Sequence, residues 1–186
     1  DQERGLTEAG KAAVRRMNDL GIVLDVSHLN DKGFWDIISL SDGHPVIASH
    51  SNARALAPHG RNLSDEMIKA LAETGGVLGM NRVGAFISED CKKHSAEGLA
   101  DHVEHIVDLV GIDHVGCGFD FEDYVDPGAL LKNGVPKVFE AATQGLYSEA
   151  DAGNFLEVLK KRGYTQEELE KIAYKNFYRV YRQVLK

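Results

Sequence analysis

The chain predicts an α/β fold built from parallel strands and organised as one structural unit. Three observations carry that reading. Short apolar runs at 22–28, 45–51, 77–81 and 114–120 are rich in β-branched residues or glycine, and each stops on a polar side chain, the pattern of strands buried on both faces. Segments of helical period separate the runs, and most open on a Thr, Asn or Ser suited to capping. The interval from the first run to the second fits one strand, one short helix and two loops. No repeat, low-complexity tract or linker divides residues 1–186, so they read as a single domain.

In order, Leu6, Ala9, Ala13, Val14, Met17 and Leu20 recur at helical spacing behind Thr7, and Gly21 closes that helix. The first strand follows, 22–28, ending on His28. Asn30 or Asp31 caps a second helix carrying Phe34, Ile37, Ile38 and Leu40, and Trp35 is expected to cover its seam with the strand. The second strand, 45–51, ends at His50-Ser51 and yields to a polar loop that holds Arg54 and Arg61. Ser64 opens a helix with Met67, Ile68, Leu71 and Ala72 on one face, running to Gly75-Gly76. A third strand at 77–81 leads into a loop through Phe86, Ile87 and Cys91. Ser95 starts a long amphipathic helix with Leu99, Val103, Ile106, Val107 and Val110 inward. It leaves His102 and His105 on what reads as a solvated face beside Asp101 and Glu104. The fourth strand ends at Asp120, and Gly116 and Gly118 within it suggest close packing or a bulge. Residues 122–135 read as an irregular loop over the pocket, followed by helices at 137–145, 149–163 and 165–186. The last opens on a capping box, Thr165-Gln166-Glu167-Glu168, and carries Leu169, Ile172, Ala173, Phe177, Val180, Tyr181 and Val184 as its core stripe.

Composition narrows the partners. With 186 residues, 43% of them hydrophobic, the chain has apolar mass for one real core. Its net charge of −8, and the lack of any basic run with interleaved aromatics, argue against nucleic acid and anionic membrane. Cys91 and Cys117 follow no paired-thiol spacing, so neither a disulfide framework nor a thiolate zinc site is indicated. No apolar segment approaches a transmembrane span, and the first residues lack the basic and apolar regions of a leader. The compartment stays open, with the cytoplasm preferred.

The chemistry concentrates where strands end. In α/β sheets and barrels the carboxyl ends of the strands face the active-site side. His28 and His50, delivered to that rim one βα unit apart, are candidates to share a metal ion; the alternative is two partly buried imidazoles satisfied by backbone hydrogen bonds. Arg61 and Arg54 are candidates to hold a carboxylate by a two-pronged hydrogen bond. Asp120 stands at the same rim, either to hold a substrate ammonium or a ligand imidazole, or simply to cap the next helix.

These residues resemble the membrane (renal) dipeptidase family of zinc peptidases. The likeness runs through Gly5-Leu6-Thr7, Asp25-Val26-Ser27-His28, Ser49-His50-Ser51, Arg61-Asn62, Gly75-Gly76, Gly118-Phe119-Asp120-Phe121, and Asn176 with Arg179-Val180. The resemblance implies a (β/α)8 barrel of the TIM type, two zinc ions bridged by a glutamate, and hydrolysis of dipeptides. By motif, His28 and His50 would bind one zinc, Arg61 the substrate's carboxylate and Asp120 its free amino group. The family's His-x-Asp motif, bridging Glu and catalytic His lie upstream of the Gly-Leu-Thr segment, which begins here at Gly5. The chain is therefore expected to hold about four carboxyl-terminal βα units plus terminal helices, to contain no catalytic residue itself, and to bind zinc weakly when alone. The unpaired strand edges and inner apolar surface of such a half barrel favour assembly, with the amino-terminal half or with a second copy. Rivals are another metal-dependent amidohydrolase on the same barrel, and an inactive fragment or binding protein.

Overall fold

The computed structural model describes residues 4–121 and 143–185. Its elements are α1 (Glu8–Leu20), β1 (Leu24–Asp25), α2 (Asp31–Leu40), β2 (Val46–Ser51), α3 (Asp65–Glu73), β3 (Val77–Asn81), α4 (Gly84–Ile87), α5 (Ala96–Val110), β4 (Val115–Phe119) and α6 (Ala152–Lys161). A last helix, α7, joins Gln166–Glu170, a π segment at Lys171–Lys175, and Asn176–Val184. The four strands form one parallel sheet in the order β1-β2-β3-β4. The α/β fold with parallel strands is as expected, and within the described residues the sheet is open, edged by β1 and β4.

Local chemistry explains the helix starts. Thr7 Oγ1 accepts from the Gly10 N–H at 3.1 Å, Asn30 Oδ1 from Gly33 at 2.7 Å, Ser64 Oγ from Met67 at 3.3 Å and Ser95 Oγ from Gly98 at 3.1 Å. Each bond satisfies one of the amide donors that a first turn leaves unpaired. Thr165 and Glu168 form the reciprocal capping box of α7. Gly21 ends α1 in the left-handed region, at φ 69°, which glycine enters without a Cβ penalty.

The sheet is covered on both faces. Val46, Ala48, Leu78, Met80 and Val115 belong to the main core with Ile68 and Leu71 of α3 and Leu99, Val103 and Ile106 of α5. Each of the Val, Leu, Ile and Met side chains here, fully removed from water, contributes about 1.5–3 kcal/mol. On the opposite face Ile47 and Val77 meet Val180, Val184 and Phe177 of α7. Asn176 Nδ2 donates to the carbonyls of Ile112 and Val115 at 2.8 Å, and Arg179 donates to those of Gly75 and Asp113 at 2.7 and 2.8 Å. These carbonyls lie at the amino ends of β3 and β4, so α7 is tied to that end of the sheet.

Two bare positions let the sheet curl. A Cβ at Gly79 or at Gly118 would run into the Ser49 carbonyl oxygen, although Gly118 belongs to β4, two strands from β2. The curl draws the end of β4 toward the end of β2.

Several expectations change. The first strand is only Leu24–Asp25, and His28 lies beyond it at φ 75°, in a turn closed by the Leu29 N–H bonding the Val26 carbonyl at 3.1 Å. Trp35 is 44% exposed; the buried ring at that seam is Phe34, which Trp35 meets edge-on. The loop after β3 contains the short helix α4. Tyr181 is 38% exposed and sits outside the core stripe. Of the helix expected at 137–145, residues 137–142 fall outside the described residues, as does the loop at 122–135, and 143–145 are not helical.

His102 departs most from expectation. Its ring is fully buried: Nδ1 accepts from the Ala53 N–H at 3.1 Å, and Nε2–H donates to the Ile87 carbonyl at 2.8 Å. Burial pushes its pKa below the ordinary imidazole value. His105 bonds Asp65 at 2.8 Å, while Asp101 and Glu104 both bind Arg162 of the α6 end. The pair is thus a structural one. No helix among the described residues is long and apolar enough to cross a membrane.

Candidate metal centre and substrate pocket

Every polar side chain singled out at the rim occupies the carboxyl end of the sheet. His28 and His50 come together, Nε2 to Nε2 at 2.8 Å, their ring planes inclined by 67°. Asp120, at φ 64° just past β4, places Oδ2 at 4.0 Å from His50 Nε2 and accepts from Asn81 Nδ2 at 3.2 Å. Asn81 ends β3, so the last residue of one strand holds the carboxylate that follows the next.

Arg61 arrives from the loop after β2. Its carbonyl accepts from Ser51 Oγ, its N–H donates to His59 Nδ1 at 3.1 Å, and its guanidinium lies over the Phe86 ring at 5.4 Å. Among the described residues its Nε and Nη2 are buried without a hydrogen-bond partner. Those two donors form one edge of the guanidinium, the edge that takes a carboxylate in bidentate fashion. Burial draws the Arg61 pKa down, while Asp120 and Asp25 oppose it. His28 and His59 are lowered too, by burial first and then by the Arg61 charge. His28, His59 and Arg61 line one cleft of about 490 Å³ with Leu6 and Asn30.

Arg54 is not available for a ligand. It donates from Nη1 and Nη2 to the two Asp31 oxygens at 2.8 and 2.7 Å, and from Nε to the Asn62 carbonyl at 2.9 Å. Its role is to tie this loop to the start of α2, which corrects its candidacy for the substrate carboxylate.

Sequence reasoning passed over Asp25, Ser49 and His59 as contributors. Asp25 Oδ1 accepts from the backbone of Ser27 and of Ser49 at 2.9 and 3.0 Å, and Oδ2 takes the Ser49 hydroxyl. Ser49 Oγ also contacts His50 Nδ1 at 2.7 Å. The available signal was the Asp-x-Ser spacing ahead of His28, which suits a side chain capping its own turn.

Two imidazole nitrogens converging on one point, one ring held through its far nitrogen, suit a divalent metal that takes neutral histidine. An ion at about 2.0–2.1 Å from each holds two nitrogens roughly 3.3 Å apart in tetrahedral geometry, which exposed His28 reaches by a small swing. Among the described residues no group of three or more His, Cys, Asp or Glu could hold a metal, so the pair is a partial donor set.

The parallel sheet thus gathers two imidazoles, a carboxylate and a guanidinium at its carboxyl end. The family model for membrane dipeptidase, peptidase family M19, matches residues 1–186, and the chain belongs to that family. It is 34% identical over 188 residues to an uncharacterized protein from the pqqA 5′ region of Klebsiella pneumoniae, covering 99% of this chain and 63% of that protein. It is 34% identical over 180 residues to the dipeptidase tcpJ of Claviceps purpurea, covering 97% of this chain and 39% of that one. A metallo peptidase from Rhodobacter sphaeroides, solved with a phosphinate mimic of the dipeptide L-Ala-D-Ala, superposes with a TM-score of 0.80 at 35% identity, over 97% of this chain and 48% of that one. The chain thus spans between about two fifths and two thirds of the length of these relatives, and the likeness read from its motifs is borne out.

Proposed function

We propose that the protein carrying this chain is a zinc-dependent dipeptidase, with His28 and His50 as ligands to one ion and Arg61 and Asp120 as the substrate's two anchors. The observation that carries the reading is Arg61: a buried guanidinium edge with both donors unpaired among the described residues, lining the cleft that His28 lines. An unpaired buried donor pair is costly unless a ligand completes it, and a peptide carboxylate has the matching two acceptors. The Rhodobacter relative, bound to a dipeptide mimic, supports the same substrate class.

Asp120 supplies the complementary charge. Arg61 at one end and Asp120 at the other select a substrate short enough to bring both termini within reach. A blocked terminus leaves one of these charges unmatched, which penalises longer or capped peptides. Asn81 fixes the carboxylate by donating to Oδ2. The bound metal supplies Lewis acidity toward the scissile carbonyl and a water acidic enough to ionise near neutral pH. The lowered pKa of His28 keeps its imidazole neutral there, as a ligand must be. The remaining ligands, and the closure of the sheet into a (β/α)8 barrel, belong in this reading to βα units beyond the four strands described.

The test is turnover by the full protein of a free dipeptide and of its N-acetylated analogue. Chelator should abolish dipeptide hydrolysis and zinc restore it. Asp120→Ala should cut kcat/KM for the free dipeptide by about 10–100-fold, the loss of one charge-assisted pair, and leave the acetylated analogue nearly unchanged. Equal losses on both substrates remove the amine-anchoring role, and activity insensitive to chelator removes the metal.

A further inference from the structure

We propose that Asp25 and Ser49 are positioning residues that fix the tautomer of His50, so that its Nε2 presents a bare lone pair to the metal. The inference rests on the metal-binding reading above and extends it to the groups behind the ligand.

The hydrogens along this chain of contacts have one consistent assignment. A carboxylate can only accept, so at 2.5 Å from Asp25 Oδ2 the single Ser49 hydroxyl hydrogen points to Asp25. Ser49 Oγ then has only lone pairs to offer His50 Nδ1, 2.7 Å away, and that nitrogen must carry the ring hydrogen. His50 Nε2 is left as an acceptor. Without a metal it takes a hydrogen from His28 Nε2 at 2.8 Å, so all the hydrogens run toward Asp25. The opposite assignment would set a serine lone pair against a carboxylate lone pair at 2.5 Å.

The same carboxylate also builds the site's frame. Asp25 Oδ1 holds the amides of Ser27 and Ser49, and Ser27 Oγ accepts from the His50 N–H at 3.1 Å. The turn that carries His28 and the strand end that carries His50 are thereby one unit. Orientation of a ligand imidazole through its other nitrogen is worth about 10–100-fold in metal affinity.

The decisive variant is Asp25→Asn in the full protein. The two amides keep the new side-chain oxygen on their side, so the amide nitrogen faces Ser49 and donates to it. The Ser49 hydroxyl then turns to His50 Nδ1, at 2.7 Å the nearer acceptor than Ser27 Oγ at 3.5 Å, moving the ring hydrogen to Nε2. Nitrogen-15 NMR of the histidine rings in metal-free protein reads the tautomer directly, and competition with a chromophoric chelator reads zinc affinity. Expected are His50 Nδ1–H in the wild type, Nε2–H in Asp25→Asn with affinity about 10–100-fold lower, about 10-fold lower affinity in Ser49→Ala, and recovery in Ser49→Thr, which keeps the hydroxyl. A role in folding alone would lower stability without flipping the tautomer. His50 found as Nε2–H in the wild type overturns the proposal, and so does an Asp25→Asn protein with unchanged tautomer and affinity within about twofold. Should Asp25→Asn fail to fold, the wild-type ring assignment decides by itself. A wild type that takes up no zinc ends the dipeptidase reading instead, and the metal-free tautomer still judges this one.

Discussion

Replacing His102 by alanine should be among the most damaging single changes in the chain, although the residue touches no substrate. The ring is fully buried and joins two segments far apart in sequence, accepting from Ala53 just past β2 and donating to Ile87 at the end of α4. Truncation leaves one buried N–H and one buried carbonyl unpaired, at about 1–3 kcal/mol each, and opens a cavity whose cost adds to theirs. The expected loss is about 4 kcal/mol, or a Tm lower by about 8–16 °C for a unit of this size. His102→Gln, with an acceptor and a donor on one planar group, should recover about half. The pH dependence follows from the same bonds. Protonating Nδ1 would place a hydrogen against the Ala53 N–H, and burial holds the folded-state pKa below the ordinary value. The folded state therefore binds fewer protons than the unfolded chain, whose histidine titrates near about 6.5. Stability is complete above that pH and declines as pH falls through and below it. His28 and His59, also lowered, act with the same sign. Urea unfolding between pH 8 and 5 should show the decline in the wild type and a shallower one in His102→Gln. A His102→Ala loss under about 1 kcal/mol, or a wild type that gains stability on acidification, would refute the reasoning.

Two further outcomes follow from the geometry. Arg61→Lys keeps the charge but not the paired edge formed by Nε and Nη2, so kcat/KM for dipeptides should fall by about 10–100-fold, mostly through KM, given that charged hydrogen bonds contribute about 1.5–3 kcal/mol; unchanged steady-state kinetics would show that the edge binds no carboxylate. Gly118→Ala should destabilise by about 1–3 kcal/mol, because its Cβ would drive into the Ser49 carbonyl oxygen, and should weaken zinc uptake by displacing the strand end that carries His50; denaturant midpoint and metal titration check both, and a neutral variant would mean the sheet is not curled as described.

The helix starts were legible because their causes are local. Thr7, Asn30, Ser64, Ser95 and Thr165 each cap an amide a few residues ahead, and nothing distant has to be known to see it. The rim residues were legible for a related reason, since a polar group ending an apolar run must emerge at the strand's carboxyl end. Arg54 and Arg61 could not be separated this way. Both sit in one polar loop, and only the docking of that loop against α2 consumes Arg54 on Asp31. His102 misled for the same reason: beside Asp101 and Glu104 it looks solvated, yet those neighbours turn outward to Arg162 while the ring turns into the core.

What the sequence determined by itself is the alternation of strands and capped helices and the identity of the chemical groups at the strand ends, because backbone capping and hydrophobic period act over a few residues. The tertiary structure decided which of those groups meet. His28 reaches His50, and Asp25 lies behind that ligand, because parallel pairing sets β1 beside β2, while Asp120 comes within 4.0 Å of His50 because bare glycines let the sheet curl. Such distances depend on where strands tens of residues apart come to lie, and packing alone sets them.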